Sequence, residues 1–275
     1  STEDLLYWRK QIPSQKNVGF IPTMGALHEG HLSLIRKSLL ESDISVVSVF
    51  LNPKQFSRDE DLKTYPIDVD SDLKKLKSLK VDAVFLPDSS DIYDVNDSFV
   101  VIENKLSLLL EGKSRPEYFP GVLTIVTKLF NMVRPNNVYF GKKDAQQLIL
   151  IKKLIEYMKY PICVVACDTV REHHGLAMSS RNEYLNTSDR GRAKIIYLSL
   201  LKAKKMLDEG ETQCSVIKNK IESILRVESD VNIDYISISN VETLNECEIA
   251  KGKILISVAI FFCGVRLIDN IFYNN

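Results

Sequence analysis

Through residue 169, short apolar runs alternate with amphipathic helical stretches, and this alternation constrains the fold more than any other feature. Each apolar run is too short for a helix, and each stretch between two runs has helical spacing, which is the pattern of βα units laying down a parallel sheet. Val18 to Ile21 reads as the first strand and Ile44 to Leu51 as the second, with a helix from Gly30 to Leu40 between them. Val69, Leu73, Leu76 and Leu79 share one helical face ahead of a strand from Val81 to Leu86. Val122, Ile125, Val126, Leu129, Phe130 and Val133 form a stronger apolar face, ended by Pro135. A strand from Asn137 to Phe140, a helix from Lys143 to Met158 and a strand from Ile162 to Cys167 complete this half. The expected fold class is α/β, with a Rossmann-like open parallel sheet over residues 1–169.

After residue 185 the texture changes to two long charged helices, Ser188 to Leu207 and Glu211 to Val227. β-like runs follow at Val231 to Ser239, Lys253 to Phe262 and Val265 to Phe272. Helices succeeded by hairpin-like strands predict a smaller α+β domain over residues 170–275, although no Gly/Ser- or Pro-rich linker marks the boundary. Lys plus Arg and Asp plus Glu both number 36, so the basic excess that a nucleic-acid or anionic-membrane partner demands is missing. No apolar run reaches the ~18 residues of a membrane span, and Ser1 to Lys10 does not read as a signal peptide. Five irregularly spaced cysteines point to a reducing cytoplasm, with Cys163 and Cys167 expected as buried thiols of an apolar strand.

The most informative segment runs from Val18 through Pro22-Thr23-Met24-Gly25-Ala26-Leu27-His28-Glu29-Gly30-His31, a strand entering a helix through a small-residue turn. A helix N-terminus offers unpaired N–H groups and the positive end of the dipole, and imidazoles there can add donors for a polyphosphate. His28-Glu29-Gly30-His31 fits the His-x-Gly-His site of nucleotidylyltransferases, while two histidines that merely cap an ordinary helix are the alternative.

Further blocks match one family. Phe50-Leu51-Asn52-Pro53-Lys54-Gln55-Phe56, Tyr139-Phe140-Gly141-Lys142-Lys143-Asp144-Ala145-Gln146-Gln147 and Gly175-Leu176-Ala177-Met178-Ser179-Ser180-Arg181-Asn182 occur in order after the histidine segment. With Gly112 to Val122 and Arg266-Leu267-Ile268-Asp269-Asn270, they make nearly the whole chain resemble the pantothenate synthetase family. That resemblance implies an ATP-dependent ligase that joins (R)-pantoate to β-alanine through a pantoyl-adenylate, with Mg2+ as cofactor and AMP and diphosphate as products. It further implies a homodimer, for which the apolar second and last strands offer surfaces.

Attack of a carboxylate on the α-phosphorus puts negative charge on the equatorial oxygens and the leaving diphosphate, so catalysis needs positioning and cationic or hydrogen-bond donors. His28, His31, Lys143, Ser179, Ser180 and Arg181 supply such a set, and the resemblance makes His31 the proton donor. It places ATP along Met24, Gly25, Ala26, Leu27, His28, Glu29, Gly30 and His31, and on the loop Gly141, Lys142, Lys143 and Asp144. It also places Val170, Met178, Ser179, Ser180 and Arg181 beside the same nucleotide. Asp144 is either an acceptor for ribose hydroxyls or a helix N-cap. The amides of Gln55 and Gln147 can donate and accept without neutralising a carboxylate, and the resemblance assigns both to pantoate and Gln55 also to β-alanine. Met24 and Phe56 pack against the pantoate methyls or simply belong to the core. Asp72 is the candidate Mg2+ contact, since Mg2+ takes one or two carboxylates plus phosphates and water.

Ile67, Lys142 and His174 depart from the commoner family pattern. Gly112-Lys113-Ser114 has the ending of a P-loop, but the required Gly five residues earlier is Ser107. Arg115 in that segment is a further contact to consider near the pantoate and phosphate site. Two other functions share the site: a nucleotidyltransferase with a phosphate-bearing acceptor, and a non-catalytic nucleotide sensor. The paired amides argue against the first, because a phosphate acceptor calls for more cations. Retention of the whole donor set argues against the second.

Overall fold

The computed structural model describes residues 1–57, 60–94, 96 and 98–274. Helices α1 (Thr2–Gln11), α2 (Glu29–Glu41), α3 (Val69–Ser78), α4 (Ser89–Ile92), α5 (Glu111–Ser114), α6 (Tyr118–Val133) and α7 (Ala145–Met158) alternate with strands β1 (Val18–Thr23), β2 (Ile44–Val49), β3 (Ala83–Phe85), β4 (Asn137–Gly141) and β5 (Cys163–Cys167). Among the described residues these strands form one parallel sheet in the order β3-β2-β1-β4-β5. The strand order reverses between β1 and β4, and in open α/β sheets the crevice outside the strand ends at that point is where ligands bind. β1 is buried along almost its whole length because helices cover both faces, which explains its unbroken apolar sequence.

Pro22 helps to open the crevice. The Val18 N–H donates to Asn136 Oδ1 and the Val18 carbonyl accepts the Asn136 N–H, both on the β4 side. Backbone groups of alternate strand residues face the same neighbour, so those of Phe20 and Pro22 face β4 as well. Pro22 has no N–H to give. The β1–β4 pairing accordingly ends at Phe20, whereas β1–β2 pairing continues to Thr23. The two central strands separate where the histidine turn begins.

α6 begins at Tyr118, earlier than its apolar periodicity indicates, and Arg134 closes it in the left-handed conformation just ahead of Pro135. Val122, Ile125, Val126, Leu129, Phe130 and Val133 are all buried against the sheet. At about 1.5–3 kcal/mol for each such side chain, this face anchors the first half.

The second half comprises α8 (Thr187–Ala193), α9 (Ile195–Asp208), α10 (Cys214–Leu225) and antiparallel strands β6 (Val231–Asn240), β7 (Lys253–Phe262) and β8 (Val265–Asn274), with β7 in the centre. Its core is separate, running from Leu176 to Leu267 between α9, α10 and the sheet. Ala145 and Ile149 of α7 meet Leu244 and Leu255 where the two halves join.

The structure corrects several expectations. The stretch from Ser188 to Leu207 is two helices with Lys194 between them. β3 is only Ala83–Phe85, because the Val81 N–H is taken by Leu76 at the end of α3. Cys163 is exposed, since it opens β5 at the edge of the sheet, whereas Cys167 is buried. β2 lies inside the sheet between β1 and β3 and cannot offer a dimer surface, while β8 is an edge strand. Among the described residues, no helix is long and apolar enough to cross a membrane.

Candidate active site

The turn after β1 brings Met24 to His31 to the mouth of the crevice. Gly25 (φ 88°) and Ala26 (φ 50°) both adopt positive φ. The positive φ calls for glycine at position 25, and a Cβ there would also stand 3.2 Å from side-chain atoms of Asp72 and Val49, a tight contact. The turn is pinned from three sides. Thr23 Oγ1 accepts the Gly25 N–H at 3.3 Å, Asp72 Oδ1 accepts the Leu27 N–H at 2.7 Å, and Lys75 Nζ donates to the Leu27 carbonyl at 2.6 Å.

His28 is the N-cap of α2, and its Nδ1 accepts the Gly30 N–H at 3.1 Å; the His28 N–H in turn donates to His31 Nδ1 at 3.4 Å. The rings stack with centroids 4.1 Å apart. Capping and chemistry are therefore not alternatives here. Each Nδ1 is an acceptor in the cap, which leaves the proton of the neutral ring on Nε2 as a donor. Burial and the neighbouring Lys143 ammonium lower the His28 pKa to about 4. Burial, then His28 and Lys143, hold that of His31 well below the usual histidine value.

Both rings are thus expected to stay neutral from pH 7 to pH 5, as histidine Cε1–H chemical shifts would report. The unfolded chain protonates His28 as the pH falls through about 6.5, whereas the folded chain does not until near 4. Stability is therefore lost across that window, by about 2 kcal/mol for His28 at pH 5, and the buried His31 acts in the same direction. A ring that titrates near 6.5 would contradict this.

Opposite the histidines, the loop after β4 presents Lys143, whose Nζ lies 3.3 Å from Asp144 Oδ1. Asp144 occupies the N-cap position of α7 but makes no capping bond with its side chain. Ser179, Ser180 and Arg181 arrive from the second half of the chain. Ser180 Oγ donates to the Ala26 carbonyl at 3.1 Å, and Ser179 Oγ accepts the Arg181 N–H at 3.3 Å. Asp61 takes Nε and Nη2 of Arg181 at 3.0 and 2.9 Å, leaving the two N–H groups of Nη1 and the second N–H of Nη2. The 190 Å³ cavity here is lined by His28, His31, Lys143, Ser179, Ser180 and Arg181, with Met24, Val170 and Met178 also in its wall. A larger cavity of 580 Å³ adjoins it, sharing Lys143, Asp144, Gln147, Ser179 and Arg181 and extending over the C-terminal sheet.

Gln55 and Gln147 also line the smaller cavity. Asn52 Nδ2 donates to Gln55 Oε1 at 2.9 Å, and the Tyr118 hydroxyl donates to Gln147 Oε1 at 3.1 Å. Burial pushes the Tyr118 phenol up to about 12, so it keeps that proton. With both amide oxygens occupied, each glutamine has its NH2 group to offer the cavity, which suits a carboxylate or hydroxyl oxygen. Asn52 and Tyr118 were not picked out from the sequence for this role. Asn52 is recognisable in retrospect as the side-chain cap ahead of Pro53.

Other expected residues lie differently. Phe56 is buried edge-on against Tyr65, with centroids 5.8 Å apart, and lines neither cavity. Glu29 pairs with Arg36 on the surface at 2.8 Å, and Lys142 sends its ammonium to Asp168 at 2.6 Å. Arg115 is held bidentately by Glu60 at 2.7 and 2.6 Å. Of the departures from the family pattern, Ile67 is exposed and His174 pairs with Glu172. Asp72 is only 2% exposed, and burial raises its pKa.

A parallel sheet reversing at this crevice, with imidazoles, an ammonium and a guanidinium around it, puts the chain among the Rossmann-like α/β enzymes. The family model for pantoate-beta-alanine ligase matches residues 1–272, and the chain belongs to that ligase family. It is 46% identical to a pantothenate synthetase of Fervidobacterium nodosum over 97% of this chain and 95% of the relative. The crystal structure of pantothenate synthetase from Thermus thermophilus superposes with a TM-score of 0.93 at 37% identity, covering 98% of this chain and 97% of that one. A Francisella tularensis pantoate-beta-alanine ligase, described as complexed with beta-gamma ATP and beta-alanine, gives 0.78 at 35% identity, covering 99% and 95%.

Proposed function

We propose that the chain condenses (R)-pantoate with β-alanine at the expense of ATP, through a pantoyl-adenylate. The observation that carries this reading is that one cleft brings together two kinds of donor. Two glutamines whose amide oxygens are already occupied line it together with neutral imidazoles, Lys143 and Arg181. A pantoate carboxylate held by Gln55 and Gln147 keeps its charge and attacks the α-phosphorus, forming an O–P bond as the bond to the departing diphosphate breaks. Nε2–H of His28 and His31, the Lys143 ammonium, Arg181 and the hydroxyls of Ser179 and Ser180 meet the charge that grows on the phosphate oxygens. The β-alanine amine then attacks the acyl carbon, forming the C–N bond and releasing AMP and a proton.

Residues 1–169 would hold ATP and pantoate, and residues 170–275 would form a lid that shields the mixed anhydride from water. Mg2+ accompanies ATP in this reading, but Asp72 does not fit as its direct ligand. Its Oδ1 holds the Leu27 N–H, and the Lys75 ammonium stands 4.0 Å away. No step here passes through the ion. A cytoplasmic homodimer completes the proposal on family grounds.

Isotope exchange between diphosphate and ATP is the test. It should require pantoate and Mg2+ and proceed without β-alanine, because activation precedes aminolysis. Exchange that appeared only with β-alanine would exclude a stable adenylate, and exchange driven by a phosphorylated acceptor would favour a nucleotidyltransferase.

A further inference from the structure

The run Arg266-Leu267-Ile268-Asp269-Asn270 lies in β8, far in sequence from the loop after β4, yet its last two residues line the larger cavity beside that loop. Asn270 is 6% exposed, and its Nδ2 donates to the carbonyls of both Lys142 and Lys143, at 3.0 and 2.6 Å. An amide nitrogen carries two N–H groups, so this one side chain satisfies two consecutive carbonyls. Asp269, 2% exposed, accepts Arg171 at 2.6 and 2.9 Å and also takes the Asn270 N–H at 2.8 Å. Arg171 in turn donates to the Gly175 carbonyl at 3.1 Å, within the segment that leads to Met178 and Ser179.

We propose that Asn270 is a positioning residue for adenylation, clamping the Lys142 and Lys143 carbonyls so that the Lys143 ammonium faces the transferring phosphate. The backbone here needs such a clamp. Lys142 and Lys143 lie between the end of β4 and the start of α7, and Asp144 has dihedrals of −95° and 63°, outside both helix and strand. No helix or strand sets the direction of Lys143, and two carbonyls left without donors would rotate toward water. A shift of about 1 Å in a donor is enough to cost roughly 100-fold in rate. Asp269 and Arg171 brace the Val170 to Met178 side of the pocket in the same way, so the edge strand of the second sheet fixes two walls of a site set on the first. The inference rests on the reading of Lys143 as a phosphate donor.

The test is a double-mutant cycle on the full chain, with adenylate formation followed in single turnovers. Asn270→Ala should slow that step by about 10- to 100-fold and raise the KM for ATP, leaving the KM for pantoate and the reaction of supplied pantoyl-adenylate with β-alanine unchanged. In a Lys143→Ala background, the same change should add no more than about twofold. Asn270→Leu keeps the volume without the donors and should behave like Asn270→Ala. Full additivity with Lys143→Ala, normal rates in Asn270→Leu, or equal slowing of both half-reactions would each overturn the proposal. A wild-type chain with no pantoate-dependent exchange would instead sink the reading of the site itself.

Discussion

Lys143→Ala is expected to slow pantoyl-adenylate formation by about 100- to 1000-fold, and His31→Ala by a similar factor, with pantoate binding nearly unchanged. Both groups are aimed at charge that develops only as diphosphate leaves, so their loss falls on the transition state rather than on the bound acid. Lys143 is the stronger case. Its side chain is 19% exposed and its carboxylate neighbour Asp144 is at 3.3 Å, so the ammonium acts where solvent screens it little. His31 needs a control, because its Nδ1 also accepts the His28 N–H and the alanine variant loses part of the cap on α2. Such a loss costs about 0.5–2 kcal/mol of stability. Glutamine is a natural residue at the third helical position of a capping box, so His31→Gln should recover the melting temperature without the rate. Rapid-quench single turnovers decide the matter. Unchanged adenylation in the alanine variant of either residue would remove that residue from the mechanism.

How much of this was legible in the sequence follows from the range of each interaction. The parallel sheet could be read because buried strands appear as unbroken apolar runs, and the first of them, Val18 to Ile21, lies inside β1. The histidine turn was legible for the same local reason, since glycine, imidazoles and a helix start are adjacent in the chain. Positions 188–207 hid their break because the helical period runs on through Lys194. What stayed hidden depends on partners distant in sequence. Asp72 read as a metal ligand because an acidic helix start looks the same whether its carboxylate faces water or, as here, the N–H of Leu27, 45 residues away. Arg181 and Asp61 are 120 residues apart, and Asn270 lies 127 from Lys143. No periodicity or spacing rule connects such pairs; they exist only once the two cores have been packed together.

Gly121→Ala is expected to destroy pantoate use while sparing ATP binding, although the residue touches neither cavity. Gly121 lies in the first turns of α6, where helix propensity alone would favour alanine by about 1 kcal/mol. Packing outweighs that gain. A Cβ would stand 2.0 Å from the Lys54 carbonyl oxygen and 2.9 Å from the Gln55 nitrogen, and backbone atoms cannot rotate out of the way as a side chain could. Overpacking of this kind costs about 1–3 kcal/mol, occasionally more, so the chain should still fold, with the short turn Pro53–Gln55 pushed off the helix. That turn carries Gln55, and Asn52 binds both the Gln55 amide oxygen and the Gly121 carbonyl, so the displacement passes directly to the pantoate donor. Gln55→Ala, which removes one donor and leaves a substrate oxygen unpaired, should cost about 1–3 kcal/mol in pantoate binding. Gly121→Ala should cost at least as much and lower turnover as well, since a donor misplaced by about 1 Å spoils the attack geometry by roughly 100-fold. Calorimetry with ATP and with pantoate separates the two ligands. His28, His31 and Lys143 stand on other segments, so a collapse of ATP affinity, or a normal KM for pantoate, would show that the turn does not set the amide as described.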